Sequence, residues 1–366
     1  MNKFSVKILD KYIIKKFITT YFFALLIVIG IVIVFDISEK IDNFVNNNIP
    51  LKEIIVQYYL NFIPWILNSF SPLFVFISVI FFTSKLAANS EIIAMLSGGV
   101  SFNRMLRPYM VSAAFIAAMS MVLSLWIIPP ANQHRLDFEN KYVKKQAVVG
   151  GDYARNIHYQ IAPGEFVYVE SFSSWANTAY RFTLETIKDN KVVSKLSAES
   201  AQWDSTLLGW KLKNYYIRDF HGESEIVTTG KSMDTVISLT IEDFYRRKNI
   251  VESLSIGELN DLIKVQRMRG DKMIIHSQIE KNNRIAMPFS AFILTIMGVA
   301  LASRKKRGGI GLNIGIGIAL SFIYILFMRF SEMFVFTGTL SPALALWMPN
   351  IVFSVIAALL YRMTPK

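Results

Sequence analysis

The chain has 366 residues and a mass of 41.7 kDa; 53% of its residues are hydrophobic and only 18% are charged. Soluble domains carry about a quarter charged residues, so this composition, with a mean hydropathy of +0.38, excludes a wholly soluble enzyme and a disordered chain. The formal net charge is +12, and the lack of cysteine excludes disulfides, thiolate metal sites and cysteine nucleophiles.

Six apolar runs are long enough to cross the hydrocarbon core of a bilayer as helices, which takes about 20 residues each. They lie at residues 17–35, 54–83, 109–128, 285–302, 310–328 and 343–360. Three precede a long polar stretch and three follow it. The odd number of crossings before the polar stretch places it on the side of the membrane opposite the N-terminus.

The basic residues are concentrated on one side of this topology. The N-terminal segment, the loops after spans two and four and the C-terminal tail together hold 14 Lys and Arg residues, whereas the opposite short loops hold four. Because Lys and Arg accumulate in short cytoplasmic loops, we expect both termini in the cytoplasm. Residues 131–283 hold 21 basic and 20 acidic residues, so the excess charge belongs to the membrane portion, and nucleic-acid binding is not expected.

Between spans two and three, residues 89–99 combine a cap residue, a short helical run and a glycine stop at Gly98. Helical spacing puts Glu91, Ala94 and Met95 on one face. The opposite face carries Ile92, Ile93 and Leu96. Such a helix either packs at the interface on its own spans or receives a push from a soluble motor.

The polar stretch alternates like a series of short β-strands, at 156–161, 165–172, 179–187, 192–203, 210–220, 225–229 and 236–241, with turn residues between them. Many short antiparallel strands predict a sandwich or barrel-like domain. A capping box at Ser255 and Glu258 then begins a helix that Gly270 ends. We therefore expect an α-helical membrane protein with an inserted all-β domain, divided into residues 1–130, 131–254 and 255–366.

Apolar side chains on these strands line either an open groove or a closed core. Alternation places Phe166 with Tyr168 on one face of a strand, and Trp210 with Leu212 on one face of another. A groove and an ordinary closed core need the same residue types. The sequence therefore leaves both alternatives open.

Span five carries small residues at four-residue spacing, Gly311, Gly315 and Ala319, which predicts close helix packing. Among the charges near the outer membrane face, Lys40, Arg284 and Arg329 are candidates for a gate or a substrate contact. They are expected to face the bundle interior or a water-filled cavity, or else to reach the headgroup layer. Arg329 is the strongest candidate because apolar residues precede and follow it.

No catalytic or metal-binding pattern is present in the sequence. The four histidines are scattered without metal-ligand spacing, and there is neither a GxSxG motif nor a glycine-rich loop ending in Lys-Ser or Lys-Thr. We expect no catalytic residue, no metal site and no cofactor in this chain, and no ATP hydrolysis by it.

Four segments, in order, carry a resemblance to a known family. They are Leu9-Asp10-Lys11-Tyr12-Ile13, Ser90-Glu91-Ile92-Ile93-Ala94-Met95 with Ser97-Gly98, Arg284-Ile285-Ala286-Met287-Pro288 with Gly298, and residues 338–350 with Pro342, Trp347, Pro349 and Asn350. Over nearly its whole length the chain resembles the lipopolysaccharide-export permeases LptF/LptG (YjgP/YjgQ). Two departures stand out: the family usually has Lys where Arg284 stands, and it has several basic gate residues after span one where this chain has only Lys40.

The resemblance implies a multi-pass permease of the bacterial inner membrane with a periplasmic β-jellyroll-like domain. It implies a homologous LptF/LptG-type partner, an LptC-type bitopic subunit and two LptB-type ATPase subunits, which would hold the ATP and magnesium. Lipopolysaccharide would enter a cavity between the permeases and leave into the β domains, in an ABC transporter that serves outer-membrane biogenesis. Its acyl chains would then follow the apolar interior of the β domain, for which Phe166, Tyr168, Trp210 and Leu212 are the candidate lining residues. Glu91 would be the acidic residue that meets the ATPase.

One alternative belongs to a different class of protein: a non-transporting membrane scaffold whose β domain binds extracytoplasmic protein partners. It predicts a filled β-domain core and no need for an ATPase. Co-purification of an LptB-like ATPase would separate the two readings. The sequence does not decide between the LptF and LptG roles.

Overall fold

The computed structural model describes residues 7–143, 155–173, 175–222, 224–244, 250–271, 273–303 and 309–364. The chain forms two compact units: Met1–Tyr142 with Gln278–Lys366, and Val143–Ser277. The prediction of six membrane helices with an inserted all-β domain is confirmed. Lys3, Lys366 and the basic run at 304–307, which contribute to the charge argument, lie outside the described residues.

The helices, in chain order, are α1 Ile8–Asn46, α2 Leu51–Ala88, α3 Glu91–Ser97, α4 Phe102–Tyr142, α5 Ile250–Ser253, α6 Ile256–Arg269, α7 Ile274–Ala302, α8 Gly309–Phe336 and α9 Pro342–Arg362. The β unit runs from Val143 to Ser277, so its boundaries differ from those predicted, 130/131 and 254/255. Helix α4 continues past Pro129 and Pro130 to Tyr142, and α6 clusters with the β-strands.

The prolines inside the long helices are accommodated without a break. Helix α2 contains Pro64 and Pro72 and begins with a π-helical stretch, Ile54–Tyr59. Helix α4 contains Pro108, Pro129 and Pro130, and a π-helical stretch, Leu123–Ile127, lies just before the last two. Wider π turns change which backbone groups pair, and local π adjustments are one way in which a membrane helix tolerates a proline.

Hydrogen bonds between helices hold the membrane unit together. Asn68 of α2 donates to the hydroxyl of Ser124 on α4 at 2.9 Å and accepts from Ser120 at 2.6 Å. The Tyr21 and Ser71 hydroxyls join α1 to α2 at 2.7 Å. In model systems such bonds in lipid contribute about 0.6–2 kcal/mol each.

The close helix contacts are made at other glycines than the predicted ones. A Cβ added to Gly317 would lie 2.5 Å from Cδ1 of Ile80, and one added to Gly298 would lie 2.9 Å from Cγ1 of Val79. At Gly311 and Gly315 an added Cβ meets nothing within 4 Å. Gly311, Gly315 and Ala319 are exposed in the described part of this chain, so the close packing predicted for this stripe is not made within it and stays a prediction.

The β unit is built on one antiparallel sheet with its strands in sequence order: β1 Arg155–Ala162, β2 Glu165–Ser173, β3 Thr178–Lys188, β4 Lys191–Asp204, β5 Gly209–His221 and β6 Ser224–Thr235. Six of the seven predicted strands are confirmed in place. The sixth is longer than expected, because it pairs with β5 as far as Thr235.

The sheet bends along a row that crosses its strands. In β2 to β5, two consecutive residues at this row turn away from the core, so the burial alternation slips by one: Glu170 and Ser171, Tyr180 and Arg181, Glu199 and Ser200, Lys213 and Asn214. Asn156, Arg181 and Asn214 have a left-handed backbone, with φ near +50°. Such residues re-aim a strand, which lets the sheet curl over its own core.

The core of this unit lies on the inner face of the sheet. Trp210 and Leu212 are 1% and 0% exposed, and the indole of Trp210 donates to the backbone oxygen of Leu239 at 2.7 Å. The predicted seventh strand, 236–241, is wrong: this segment makes no ladder among the described residues. Its alternating Ile237, Leu239 and Ile241 pack instead on the sheet's inner face.

Candidate functional site

The short helix α3 is held at one end of the membrane unit between α2 and α4. Its first turn follows Ser90, whose φ of +61° reverses the chain after α2. Ile92 is 1% exposed and belongs to the main core, whereas Ile93 is 50% exposed. The embedded face is thus formed by Ile92 with Met95 and Leu96 partly buried, and the open face by Ile93, Ala94, Ser97 and Gly98.

This arrangement corrects the predicted helix faces. Ala94 and Gly98 are exposed as expected of a docking surface, but Met95 packs partly against the core and Ile93 replaces it on the open face. The open face therefore carries Ile93, which the sequence spacing placed on the opposite side of the helix.

Glu91 ties α3 to the start of α1. Its carboxylate accepts a hydrogen bond from the Tyr12 hydroxyl at 3.0 Å and one from the Asn89 amide at 3.2 Å. Beside it, Arg104 of α4 donates two hydrogen bonds to Asp10 of α1, both at 2.6 Å. A bidentate pair of this kind fixes orientation as well as distance, so α1, α3 and α4 are joined at this end by side-chain contacts.

Lys40 lies in a polar cluster near the other end of α1. Its ammonium group donates to Asp36 at 2.6 Å and to the Tyr58 hydroxyl, and it lies 4.5 Å from the centre of the Tyr58 ring. Asp36 also accepts from Tyr58 and from Tyr59, each at 3.1 Å. The predicted gate residue is therefore neutralised by a carboxylate of its own helix and held by α2.

A second cation, Arg135 of α4, was not singled out from the sequence. It is 9% exposed, and its guanidinium carbon lies 5.2 Å from the Phe62 ring centre and 5.6 Å from that of Trp65. Four residues on, Glu139 is equally buried. Opposite charges at positions i and i+4 are typical of a helix. The predicted boundary at residue 130 obscures this signal, because it places Arg135 and Glu139 in the β domain.

The two remaining basic candidates have opposite surroundings. Arg284 of α7 is 4% exposed and donates to Glu280 at 2.7 Å. The side chain of Arg329 on α8 is 73% exposed and lies 3.1 Å from Glu332. Of the placements expected for these residues, Arg284 takes the interior one, whereas Arg329 does not face the interior of this chain.

The candidates on the β unit separate onto two faces of the sheet. Trp210 and Leu212 point into the core, but Phe166 is 38% exposed and Tyr168 is partly exposed on the opposite, outer face. The four candidates therefore do not share one face of the sheet. The segment that carries Leu239 and Phe244 covers Trp210: its indole donates to the Leu239 backbone oxygen, and its ring centre lies 5.5 Å from that of Phe244.

Across the described residues, no group of three or more His, Asp or Glu side chains is arranged to hold a metal ion.

A search of curated protein sequences finds no match. The sequence profile described as lipopolysaccharide export system permease LptF/LptG matches residues 11–363, which include both units and all six membrane helices. The chain therefore belongs to the LptF/LptG family of lipopolysaccharide-export permeases.

Proposed function

We propose that this permease is one transmembrane subunit of an ABC transporter that extracts lipopolysaccharide from the inner membrane and passes it to a periplasmic bridge. ATP hydrolysis, with its magnesium, takes place in two LptB-type subunits on the cytoplasmic side. Both termini of this chain lie in the cytoplasm, and the β unit lies in the periplasm. The observation that carries the ATP-driven part is the open apolar face of α3, with Ile93 50% exposed.

The contacts of α3 give a route by which the ATPase moves the membrane helices. A push on its open face reaches α1 through the hydrogen bond between Glu91 and Tyr12. From α1 it reaches α4 through the ion pair of Asp10 and Arg104. The same push reaches the core directly through Ile92, which is fully buried. Bistable packing of this kind converts small displacements into helix shifts.

A homologous permease completes the structure by covering α8. In the most apolar 18-residue stretch of this helix, 22% of the residues are buried within the chain, whereas the corresponding share in α2 is 67%. Its exposed stripe of Gly311, Gly315 and Ala319 allows a neighbouring helix to approach closely, and Arg329 lies on the same helix, largely exposed. Arg329 then faces the space between two permeases, where an arginine can meet lipopolysaccharide phosphates bidentately. An LptC-type bitopic subunit completes the assembly.

The experiment is reconstitution of this chain with its homologous partner, the ATPase and the bitopic subunit in proteoliposomes that contain lipopolysaccharide. We expect release of lipopolysaccharide to a soluble periplasmic acceptor only when ATP is supplied. An ATPase variant that binds but does not hydrolyse ATP is the matched control. A chain that copurifies with no ATPase and releases no lipopolysaccharide would support the scaffold alternative. Release that is independent of ATP would contradict the ATP-driven mechanism.

A further inference from the structure

The outer face of the sheet carries a groove that plays no part in the transport route described above. It has a volume of about 690 Å³ and lies over β1 to β4 beside the C-terminal end of α6. That size is typical of a small-molecule site. Its side walls are polar and its floor is aromatic, unlike the inner face, where the core is apolar.

The floor is an aromatic shelf formed by Phe166, Tyr168 and His158. Tyr168 lies opposite His158 in the register of β1 and β2, and the two ring centres are 4.5 Å apart. The Tyr168 hydroxyl donates to Asn156 at 3.0 Å, which fixes its ring. Phe166 occupies the next outward position on the same strand and is 38% exposed.

Polar and charged groups surround this shelf. Gln160 lies opposite Phe166 in the register, and Glu185 and Lys195 form an ion pair at 2.7 Å on the far side. From α6, Arg267 reaches the groove and is exposed, and it makes no ion pair within the described part of the chain. Arg269, beside it, is held by Asp243. With Glu185 offsetting Lys195, the groove keeps one positive charge, that of Arg267.

We propose that this groove binds an anionic saccharide. The C–H face of a pyranose carries slight positive charge and is attracted to the negative face of an aromatic ring. Its hydroxyls match the amide of Gln160 and the carboxylate of Glu185, and an acidic substituent matches the guanidinium of Arg267. An acyl chain would desolvate these charges without pairing them, which is unfavourable.

The proposal goes beyond transport, because it requires neither ATP nor a partner chain. Two sources supply this chemistry: the phosphorylated sugars of lipopolysaccharide, and peptide-free cell-wall glycan strands, whose muramic acid residues carry a free carboxylate. In both ligands, a sugar face would stack on the aromatic shelf and an acidic group would pair with Arg267. The test therefore uses one probe from each source.

Titration calorimetry on the full chain in lipid nanodiscs, without nucleotide, tests the proposal. The probes are the phosphorylated oligosaccharide left after lipopolysaccharide is deacylated, and soluble glycan strands from which the stem peptides have been removed. We expect at least one probe to bind. We expect Phe166→Ala to weaken this binding about 2- to 10-fold through lost stacking, and Arg267→Gln to weaken it about 10-fold or more. Removing the acidic group from the probe should abolish the effect of Arg267→Gln.

Tyr216→Ala is the matched control. Tyr216 is 44% exposed and lies on the same outer row as Tyr168, three strands away and outside the groove. Its substitution should leave the affinity unchanged. The proposal is overturned if neither probe binds at millimolar concentration, or if Phe166→Ala weakens binding no more than Tyr216→Ala does. Unchanged thermal unfolding of each variant excludes misfolding as the cause.

Discussion

Asp36 shows how a charged side chain is kept within the membrane unit. It accepts hydrogen bonds from Lys40 of its own helix and from two tyrosines of α2, and its side chain is 12% exposed. The carboxylate therefore neutralises the cation and joins α1 to α2 at a point where much of α1 is otherwise open. Charges at such depth are tolerated when they are paired and hydrogen-bonded.

Replacing Asp36 should consequently destabilise the membrane unit. In Asp36→Ala, Lys40 keeps an ammonium group at 17% exposure without its carboxylate, and both tyrosine hydroxyls lose an acceptor. We expect a loss of about 2–4 kcal/mol, measured as a lower unfolding temperature in detergent. The double variant Asp36→Ala/Lys40→Met should recover part of it, since the unpaired charge is gone. A double variant as unstable as the single one would show that the ion pair is not the cause.

Glu91 has two roles that can be separated by mutation. We expect Glu91→Lys to insert normally but to lose ATPase binding and lipopolysaccharide release, because it reverses the charge proposed to face the motor. Losing a desolvated charge pair typically costs about 2–5 kcal/mol. Tyr12→Phe, which removes only the hydrogen bond between α1 and α3, should keep ATPase binding.

Copurification with the ATPase and lipid release measure these two effects. Asp261→Lys, at a carboxylate whose side chain is 73% exposed on α6, is the control for added positive charge. Normal copurification and export by Glu91→Lys would mean that α3 only packs at the interface on its own spans.

At the scale of elements, glycine sets how closely α8 approaches α2. The Cβ of Gly317→Ala would meet Cδ1 of Ile80, a side chain that is 1% exposed. We expect a loss of about 1–3 kcal/mol from overpacking, measured by thermal unfolding of the purified chain. Ile80→Val removes the clashing Cδ1 and should relieve the effect. Gly315→Ala, in open space on the same helix, should not destabilise the isolated chain, and an equal loss there would contradict this explanation.

Helix α6 depends on its capping box for its first turn. The Glu258 carboxylate accepts from the backbone N–H of Ser255 at 2.8 Å, and the Glu258 backbone N–H donates to the Ser255 hydroxyl oxygen at 3.4 Å. The contacts with Ser255 lower the pKa of Glu258. Because the folded pKa is depressed, this stabilisation is present above the unfolded pKa and is lost as pH falls through the folded value. Hydrogen exchange at the start of α6 should therefore become faster, beyond its intrinsic pH dependence, between about pH 5 and pH 3. In Glu258→Gln that additional change should be absent.

At the scale of the whole molecule, hydropathy predicts each of the six membrane helices in the described part of the chain. The reason is that a run of about 20 apolar residues matches the length that a helix needs to cross the hydrocarbon core. Alternation predicts the strands, and it correctly predicts that Phe166 and Tyr168 share a face of the sheet. It does not predict which face is buried, because that depends on the segment that covers the sheet, here Leu239 and Phe244. Likewise, the spacing of small residues predicts that another helix can approach α8 closely, but it does not predict which face of α8 meets α2. Gly317, outside the repeat, makes the contact because α2 presents Ile80 to it. Periodicity tells which residues share a face, and the partner surface decides what that face does.

The proposed orientation of the whole chain rests on the positive-inside rule and can be tested directly, because the native sequence has no cysteine. Ser205 is exposed in the turn after β4, and Ser303 follows the end of α7. With both termini in the cytoplasm, a membrane-impermeant maleimide added to intact cells should label Ser205→Cys, whereas Ser303→Cys should react only after lysis. The unmodified chain, which cannot react, is the blank. Labelling of Ser303→Cys in intact cells, with Ser205→Cys protected, would reverse the orientation and place α3 and Glu91 on the side where no ATP is available, so the proposed coupling would fail with it.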